Sequence, residues 1–232
     1  MKKYADWMKS EQKISEKWWK YKREQNQMTK DLITLEIFTD YVWPWCYLST
    51  GRIEKLKKNY DIEIKLVHFP LHPDTPVEGR TLREMFGPEK DIDAMNANMK
   101  SLMMEEGLPY GARSNTYNSR LAQELGTWAD TKEGGEAIHE KIYQAYFVDS
   151  KNIGDINLLI ELSESVGLDG AEALEVLKER TFKAAVDDDW EKARNMGVSG
   201  VPTYVAGGAS VVGAQPYEAL EQLMEHAGAL KK

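Results

Sequence analysis

The chain has 232 residues, and 42% of them are hydrophobic, which is enough to form a substantial core. Its net charge of −8 argues against nucleic acid as a partner, no apolar run is long enough to span a membrane, and the first residues lack the apolar segment of a secretory signal. A single cysteine excludes an internal disulfide, so we expect a cytoplasmic protein.

The N-terminal residues form a basic extension on an acidic chain. Residues 1–30 carry nine Lys or Arg and four Asp or Glu, a charge of +5, so residues 31–232 carry −13. We expect an amphipathic helix over residues 4–21 that packs on the acidic body or in a homodimer, rather than on a membrane surface. Its apolar face recurs at three- and four-residue steps, through Tyr4, Trp7, Met8, Ile14, Trp18 and Tyr21.

A β-α-β unit is predicted next. Residues 32–38 form an apolar run typical of a buried strand, and residues 62–67 alternate between apolar and polar side chains. Between them, Pro44 marks the start of a helix, because proline is favoured at a first helical position. Two strands joined by a helix predict a parallel pair with a right-handed crossover.

The middle of the chain is predicted to be helical. A proline-rich passage over residues 68–76 comes first, and the pattern is helical almost throughout residues 80–195. Within this segment, Asn115 and Asp155 are expected to cap helices, because both are good acceptors for the free N–H groups of a first turn.

The end of the chain returns to β-structure. The short apolar runs 203–206 and 209–212 flank Gly207 and Gly208, which is typical of a tight hairpin whose central residues have positive φ. Pro216 is then expected to open the last helix.

Several separated motifs resemble one known family. The segment Asp40-Tyr-Val-Trp-Pro-Trp-Cys-Tyr47 resembles the active-site segment of the DsbA family of thioredoxin-fold thiol:disulfide oxidoreductases, FrnE-like branch, which has Cys-Pro-Trp-Cys followed by Tyr. The segment Gly197-Val-Ser-Gly-Val-Pro-Thr-Tyr204 resembles the cis-proline segment of that family. Further similar stretches are residues 69–79, 115–122, 152–155 and 212–217.

The resemblance covers about residues 31–228 and implies a thioredoxin-like α/β fold with a large inserted α-helical domain, beside the N-terminal amphipathic helix. The implied organisation is a basic helical extension at 1–30, a first thioredoxin-like part at 31–79, the helical insertion at 80–195, and a second thioredoxin-like part with the cis-proline hairpin and last helix at 196–232.

Trp43 departs from the family pattern where the attacking cysteine is expected, and Cys46 takes the resolving position. In a dithiol enzyme the first thiolate attacks a disulfide and the second releases the mixed disulfide. An indole has no acidic thiol and offers only an N–H donor. We therefore predict that this chain has no intramolecular dithiol cycle.

Three functions remain open, and the family favours an enzyme. In the first, Cys46 is a monothiol centre that glutathione or a second molecule resolves. In the second, bound glutathione supplies the thiol, as the resemblance to kappa-class glutathione transferases and hydroxychromene-carboxylate isomerases implies, although those carry Ser at the position of Trp43. In the third, a redox-inactive module binds an extended peptide or small ligand by strand addition at Val201. No cofactor is obligatory, and glutathione is the candidate ligand.

The resemblance also implies the residues of the site. The catalytic set is Cys46, Trp43 as the position of the missing nucleophile, and Asp40. The substrate-binding set is Pro44, Trp45, Val201, Pro202, Asn115 and Thr116.

Each of these residues also has a plain structural interpretation. Cys46 can be an inert buried hydrophobe and Asp40 a turn residue. No metal site is expected, because Pro70 prevents His68 and His72 from sharing a helix face, and no acidic or cysteine cluster supports them. His139 is expected on a helix, facing solvent.

Overall fold

The computed structural model describes residues 32–232, so the predicted helix at residues 4–21 and the rest of the basic extension lie outside the described residues. No helix within the described part is long and apolar enough to cross a membrane.

A β-α-β unit positions the motif loop. Strand β1 spans Ile33–Thr39, helix α1 spans Pro44–Asn59 and strand β2 spans Tyr60–His68. The two strands are parallel, and every residue of β1 has a partner on β2. The prediction of a parallel pair joined by a helix is confirmed, with α1 beginning at the proline that was expected to start it.

The predicted hairpin is also present. Strands β5 (Thr203–Ala206) and β6 (Ala209–Val212) pair antiparallel. Gly207 and Gly208 connect them with φ of 56° and 79°, a conformation that glycine adopts without strain. Strand β5 pairs antiparallel with β1, which brings the segment before the hairpin next to the motif loop.

The sheet has five strands in the order β6-β5-β1-β2-β7, where β7 is the short strand Leu230–Lys231. The last helix, α9, spans Tyr217–Ala227 and follows Pro216, as predicted. Buried residues of α9 and of the sheet form one apolar cluster, which includes Leu35, Ile37 and Leu223.

The segment between β2 and β5 contains seven helices and two very short strands. Strands β3 (Arg80–Thr81) and β4 (Asn115–Thr116) pair antiparallel. They were not predicted, because two-residue strands have no periodicity to detect. In chain order the elements are β3 Arg80–Thr81, α2 Leu82–Phe86, α3 Ile92–Glu105, β4 Asn115–Thr116, α4 Arg120–Ala129, α5 Ala137–Phe147, α6 Ile156–Ser165, α7 Gly170–Glu179 and α8 Lys183–Asn195.

The predicted cap at Asp155 is confirmed, but the one at Asn115 is wrong. Asp155 accepts a hydrogen bond from Asn157 N–H at the start of α6. Asn115 instead lies in β4, and α4 begins only at Arg120. The polar side chain used there is Asn118, whose Oδ1 accepts from the Arg120 N–H at 2.9 Å.

One apolar cluster joins the motif loop to the helices. It contains Phe38 and Cys46 from the β-α-β unit together with Trp128, Ile142 and Phe147 from α4 and α5. The shared core fixes the helices against the motif loop. The predicted domain boundaries at residues 79 and 195 stay a prediction.

A buried carboxylate ties three of the helices together. Glu124 of α4 is 1% exposed and receives hydrogen bonds from Arg120 at 2.6 Å and from Arg180 at 2.6 and 2.7 Å. Arg180 is the left-handed residue that ends α7. Arg120 also pairs with Asp187 of α8 at 2.7 Å. Two arginines therefore compensate a charge that would be costly to bury alone.

Candidate functional site

Trp43 lies at the N-terminus of α1, where the family pattern has its attacking cysteine. The residue is extended, with φ −99° and ψ 115°, and its side chain makes no capping hydrogen bond. Its carbonyl accepts from Cys46 N–H at 3.0 Å and from Tyr47 N–H at 3.3 Å. The indole is half-buried against the core. It occupies the thiol position without offering an acid or a nucleophile.

Cys46 is buried in the first turn of α1. The residue is 2% exposed, and burial raises the pKa of its thiol to about 12, against a smaller lowering by the Thr39 hydroxyl. A helix N-terminus normally stabilises a thiolate, but here the loss of hydration outweighs it. Such a thiol is protonated at neutral pH and inert, which is the plain structural interpretation considered above.

Asp40 is a buried turn residue that holds two loops together. It is 1% exposed. Its carboxylate accepts from Val42 N–H at 3.2 Å and from Leu71 N–H at 3.1 Å. Burial raises the pKa of Asp40 to about 6, although hydrogen bonds from Ser119 and the two backbone N–H groups oppose the rise. The carboxyl group can therefore exchange a proton near neutral pH while anchoring the loop after β2.

Pro202 faces Cys46 across a cavity. The Val201–Pro202 peptide bond is cis, and both residues are buried. Pro202 and Cys46 line a cavity of about 430 Å³, within the size range of small-molecule sites. The cavity follows one face of α1 from Cys46 to Lys57.

The cavity has both apolar and polar walls. Its apolar walls include Ile37, Ile53, Ile64, Leu66 and Leu108. Its polar and acidic lining includes Thr39, Asp130, Glu136, His139, Glu140 and Tyr143, of which Thr39 and Tyr143 lie next to Cys46. A ligand held here would contact apolar side chains of β1 and β2 and polar side chains along α1, such as Ser49 and Thr50.

The other predicted substrate-binding residues do not line that cavity. Trp45 is half-buried and packs against the core, and its carbonyl accepts from Ser49 Oγ at 2.8 Å. Asn115 and Thr116 form β4, and Thr116 is 1% exposed. Ligand contact by these residues and by Val201 stays a prediction.

The sequence analysis missed a hydrogen-bonded chain beneath the motif loop. The Tyr41 hydroxyl lies 2.5 Å from His139 Nδ1, and His139 Nε2 lies 2.8 Å from Asp130 Oδ1. Burial, reinforced by the charges of Asp130 and Asp40, raises the pKa of Tyr41 well above 10, so its hydroxyl keeps its proton at neutral pH. Because a carboxylate only accepts, His139 presents an N–H at Nε2, and in the neutral ring of that tautomer Nδ1 accepts from the Tyr41 hydroxyl. His139 then donates to Asp130 through Nε2–H. The expectation that His139 faces solvent is wrong, because its side chain is only 13% exposed and both ring nitrogens contact other side chains.

Two further features support that chain. Thr39 and Tyr143 share a hydrogen bond of 2.8 Å beside Cys46. Gly126 of α4 passes so close that an added Cβ would lie 2.3 Å from the Tyr41 hydroxyl. Glycine is uncommon in a helix interior, so Gly126 was the one sequence signal that could have indicated this close contact.

No group of three or more His, Cys, Asp or Glu within residues 32–232 is arranged to hold a metal ion. His68 is buried, and burial lowers its pKa to about 3. Its ring packs on Tyr41 with centroids 5.5 Å apart.

The structure combines a parallel β-α-β unit with an antiparallel hairpin that follows a cis-proline. The N-terminus of helix α1 faces that proline. These features together define a protein of the thioredoxin fold. Residues 34–225 match the model described as the DSBA-like thioredoxin domain. The chain therefore belongs to the DsbA-like family of thioredoxin-fold proteins.

Known proteins agree with that assignment. The chain is 27% identical over 205 residues to the uncharacterized protein YwbO of Bacillus subtilis (strain 168), across 82% of this chain and 94% of YwbO. Its structure is similar to the probable DsbA oxidoreductase SCO1869 from Streptomyces coelicolor, with TM-score 0.78 and 26% identity over 84% of this chain and 90% of that one.

A third similar structure is the cytosolic disulfide reductase DsbM from Pseudomonas aeruginosa with GSH, with TM-score 0.61 and 21% identity. The match covers 83% of this chain and 99% of DsbM. At this identity the likeness shows the fold alone.

Proposed function

We propose that this chain is a DsbA-family protein without a dithiol cycle that binds a small thiol or disulfide, with glutathione the first candidate. The sulfur of the ligand, rather than a protein cysteine, is the reactive one. The observation that carries the proposal is the state of Cys46, which is 2% exposed and has a pKa raised to about 12 by burial.

The state of Cys46 argues against the monothiol alternative. Thiol–disulfide exchange begins with attack by a thiolate, so its rate depends on the thiolate fraction and on access to the sulfur. Cys46 has little of either, and Trp43 cannot replace it. If the chain retains family chemistry, the sulfur must therefore come from outside the protein.

The surroundings of Cys46 support a bound ligand. The cavity of about 430 Å³ combines apolar walls with hydroxyl groups from Thr39 and Tyr143, which lie beside Cys46. Trp43 offers a half-buried aromatic face at the N-terminus of α1, although it is not among the residues that line the cavity. The DsbM structure named above contains GSH on the same fold. A cytoplasmic location, where glutathione is abundant and reduced, fits a chain with one cysteine.

A redox-inactive module for an extended peptide is the second candidate. Within residues 32–232, neither Val201 N–H nor Val201 C=O takes part in a backbone hydrogen bond, and β5 begins only at Thr203. Free backbone groups beside a sheet can pair with an added strand. Val201 is only 6% exposed, which leaves a peptide less access than the cavity gives a small ligand.

The two candidates and the monothiol alternative separate in one set of measurements. Binding of glutathione, glutathione disulfide and S-methylglutathione is measured by calorimetry on wild type, Cys46→Ala and Trp43→Ala. Intact mass after incubation with glutathione disulfide reports any adduct on Cys46. We expect equal affinity in wild type and Cys46→Ala, at least about tenfold weaker binding in Trp43→Ala from the lost aromatic contact, and no adduct.

The contrary results are equally specific. An adduct that forms within minutes, with glutathione-dependent exchange lost in Cys46→Ala, would establish the monothiol enzyme instead. No binding of any glutathione form by wild type would refute the proposal, and the peptide module would then be tested with extended peptides against a Val201→Pro variant, which lacks the backbone donor.

A further inference from the structure

Unpartnered polar atoms concentrate in the loops beside the motif. Within residues 32–232, six buried side-chain N or O atoms have no hydrogen-bond partner. Four of them belong to His72 and residues around it, since the charges of Arg80 and Arg113 act on His72 and Thr75 shares a turn with it. These are Arg80 Nε, Arg113 Nε, His72 Nε2 and Thr75 Oγ1. Because buried polar groups are nearly always hydrogen-bonded, four together indicate a common partner.

The chain brings these residues together through local pairing. Arg80 lies in β3, which pairs with β4. Strand β4 begins two residues after Arg113. Thr75 N–H donates to His72 C=O at 3.1 Å, forming a turn. The carbonyl of Thr75 accepts from Asn118 Nδ2 at 2.7 Å, which fixes that turn against the segment after β4. The four side chains therefore come from two loops and the short β3–β4 pair.

Arg113 is a buried cation that no carboxylate of the described residues neutralises. It is 7% exposed, and no Asp or Glu among residues 32–232 lies within ion-pair distance of it. Its Nη1 donates to the Tyr146 hydroxyl at 2.6 Å, and its guanidinium carbon lies 5.2 Å from the centre of the Phe147 ring. These contacts orient the guanidinium and leave Nε free. A buried, unpaired charge is costly, so an anion would relieve it.

Arg80 adds a second positive charge, and no Asp or Glu in the described part of the chain forms an ion pair with it. The carboxylate of Glu84 is occupied by the Thr81 N–H at 2.7 Å and the Thr81 hydroxyl at 2.8 Å. Burial, and then the charges of Arg80 and Arg113, lower the pKa of His72, so its ring is neutral at pH 7 and can donate or accept one hydrogen bond.

We propose that Arg80, Arg113, His72 and Thr75 form a binding site for an oxyanion, the carboxylate or phosphate group of a small ligand. Guanidinium groups match the geometry of these anions, and the Thr75 hydroxyl and His72 ring complete the contacts. Leu71, next to His72, donates to Asp40 at 3.1 Å, so the anion lies directly behind the motif loop. The proposal holds whichever sulfur chemistry the chain performs.

The test measures anion-dependent thermal stability. The full-length protein is dialysed into chloride buffer, and its Tm is followed with rising inorganic phosphate or succinate at constant ionic strength. We expect one of the two probes to raise the wild-type Tm by about 5 °C or more near saturation. Arg113→Met and Arg80→Gln should lose most of this rise, and Thr75→Val should weaken the apparent affinity about threefold to tenfold.

Controls separate a site from a general salt effect. Phosphate stabilises many proteins by exclusion from their surface, and that effect is shared by all variants. Arg83→Gln, which removes an exposed arginine on α2, should keep the full wild-type rise. If Arg113→Met does not fold, Thr75→Val still decides, because it replaces a hydroxyl by a methyl group of similar size.

The response to each probe also identifies the source of the anion. A rise with succinate alone indicates a carboxylate ligand, and a rise with phosphate alone indicates a phosphorylated one. The proposal is overturned if neither probe raises the wild-type Tm more than chloride does. It is also overturned if the rise persists undiminished in Arg80→Gln and Thr75→Val.

Discussion

Alkylation of Cys46 tests the central claim about this site. Each pH unit changes the ratio of thiol to thiolate tenfold, so raising the pKa from 9.0 to about 12 lowers the thiolate fraction about a thousandfold at neutral pH. Restricted access to a sulfur in a residue that is 2% exposed lowers the rate further. We therefore expect iodoacetamide to label native Cys46 at least about 10³ times more slowly than an ordinary exposed thiol.

The assay follows intact mass over time between pH 6 and pH 9.5. The reference is a Ser101→Cys, Cys46→Ala double variant, which places the single thiol on the exposed surface of α3. A second reference is wild type in urea, where Cys46 should label at the ordinary rate. Labelling of native Cys46 within tenfold of the Ser101→Cys thiol would refute the reasoning, because neither burial nor the raised pKa would then control the sulfur.

Three further predictions follow from the same region. Trp43→Cys should form a disulfide with Cys46 under mild oxidation, seen as a loss of two hydrogens, because it restores two cysteines at a helix start. As the pH rises from about 4 to 6, Asp40 should lower the free energy of unfolding of wild type by roughly 3 kcal/mol, measured by urea unfolding. Asp40→Asn should remove this loss. Gly126→Ala should cost about 1–3 kcal/mol, because its methyl would collide with the Tyr41 hydroxyl.

The sign for Asp40 follows from its pKa, which rises from 3.8 to about 6 on folding. Between these values the native state keeps a proton that the unfolded chain has lost, so the contribution of Asp40 to stability is full below about pH 3.8 and is lost as the pH rises through about 6. An unchanged pH dependence in Asp40→Asn would contradict this.

Matched variants serve the other two predictions. Trp43→Ser has the size of cysteine without its thiol and should show no oxidation. If Trp43→Cys fails to oxidise, more of the site than one residue has diverged. Gly200→Ala should be nearly neutral, because an added Cβ at Gly200 meets nothing within 4 Å. Equal losses in Gly126→Ala and Gly200→Ala would mean that the Tyr41 contact is unimportant.

The sequence predicted the parts of the fold that local patterns determine. Each of these parts leaves a short-range signal in the sequence and was found where expected. They are Pro44, the two strands on either side of it, and the Gly207-Gly208 turn. Strand β4 was missed and Asn115 was taken for a cap, because a two-residue strand has no period and Asn118 lies only three residues further on.

The site was predictable only where a family motif spans it. Motif resemblance indicated Trp43, Cys46 and Pro202, but the burial that raises the pKa of Cys46 comes from side chains far away in sequence. Tyr143 is one of these, a partner of Thr39 at a separation of 104 residues. Contacts at such separations depend on how the helices pack, which no local pattern encodes.

The carboxylate of Glu124 links local opening of three helices. Glu124 lies in α4. Its partner Arg180 ends α7, and its other partner, Arg120, pairs with Asp187 of α8. Opening α7 would remove Arg180 from this buried charge, and opening α8 would break the Arg120–Asp187 pair, so the three should open as one cooperative unit. Their slowest amide protons are then expected to exchange with a common free energy, and native-state hydrogen exchange would show them as a single foldon.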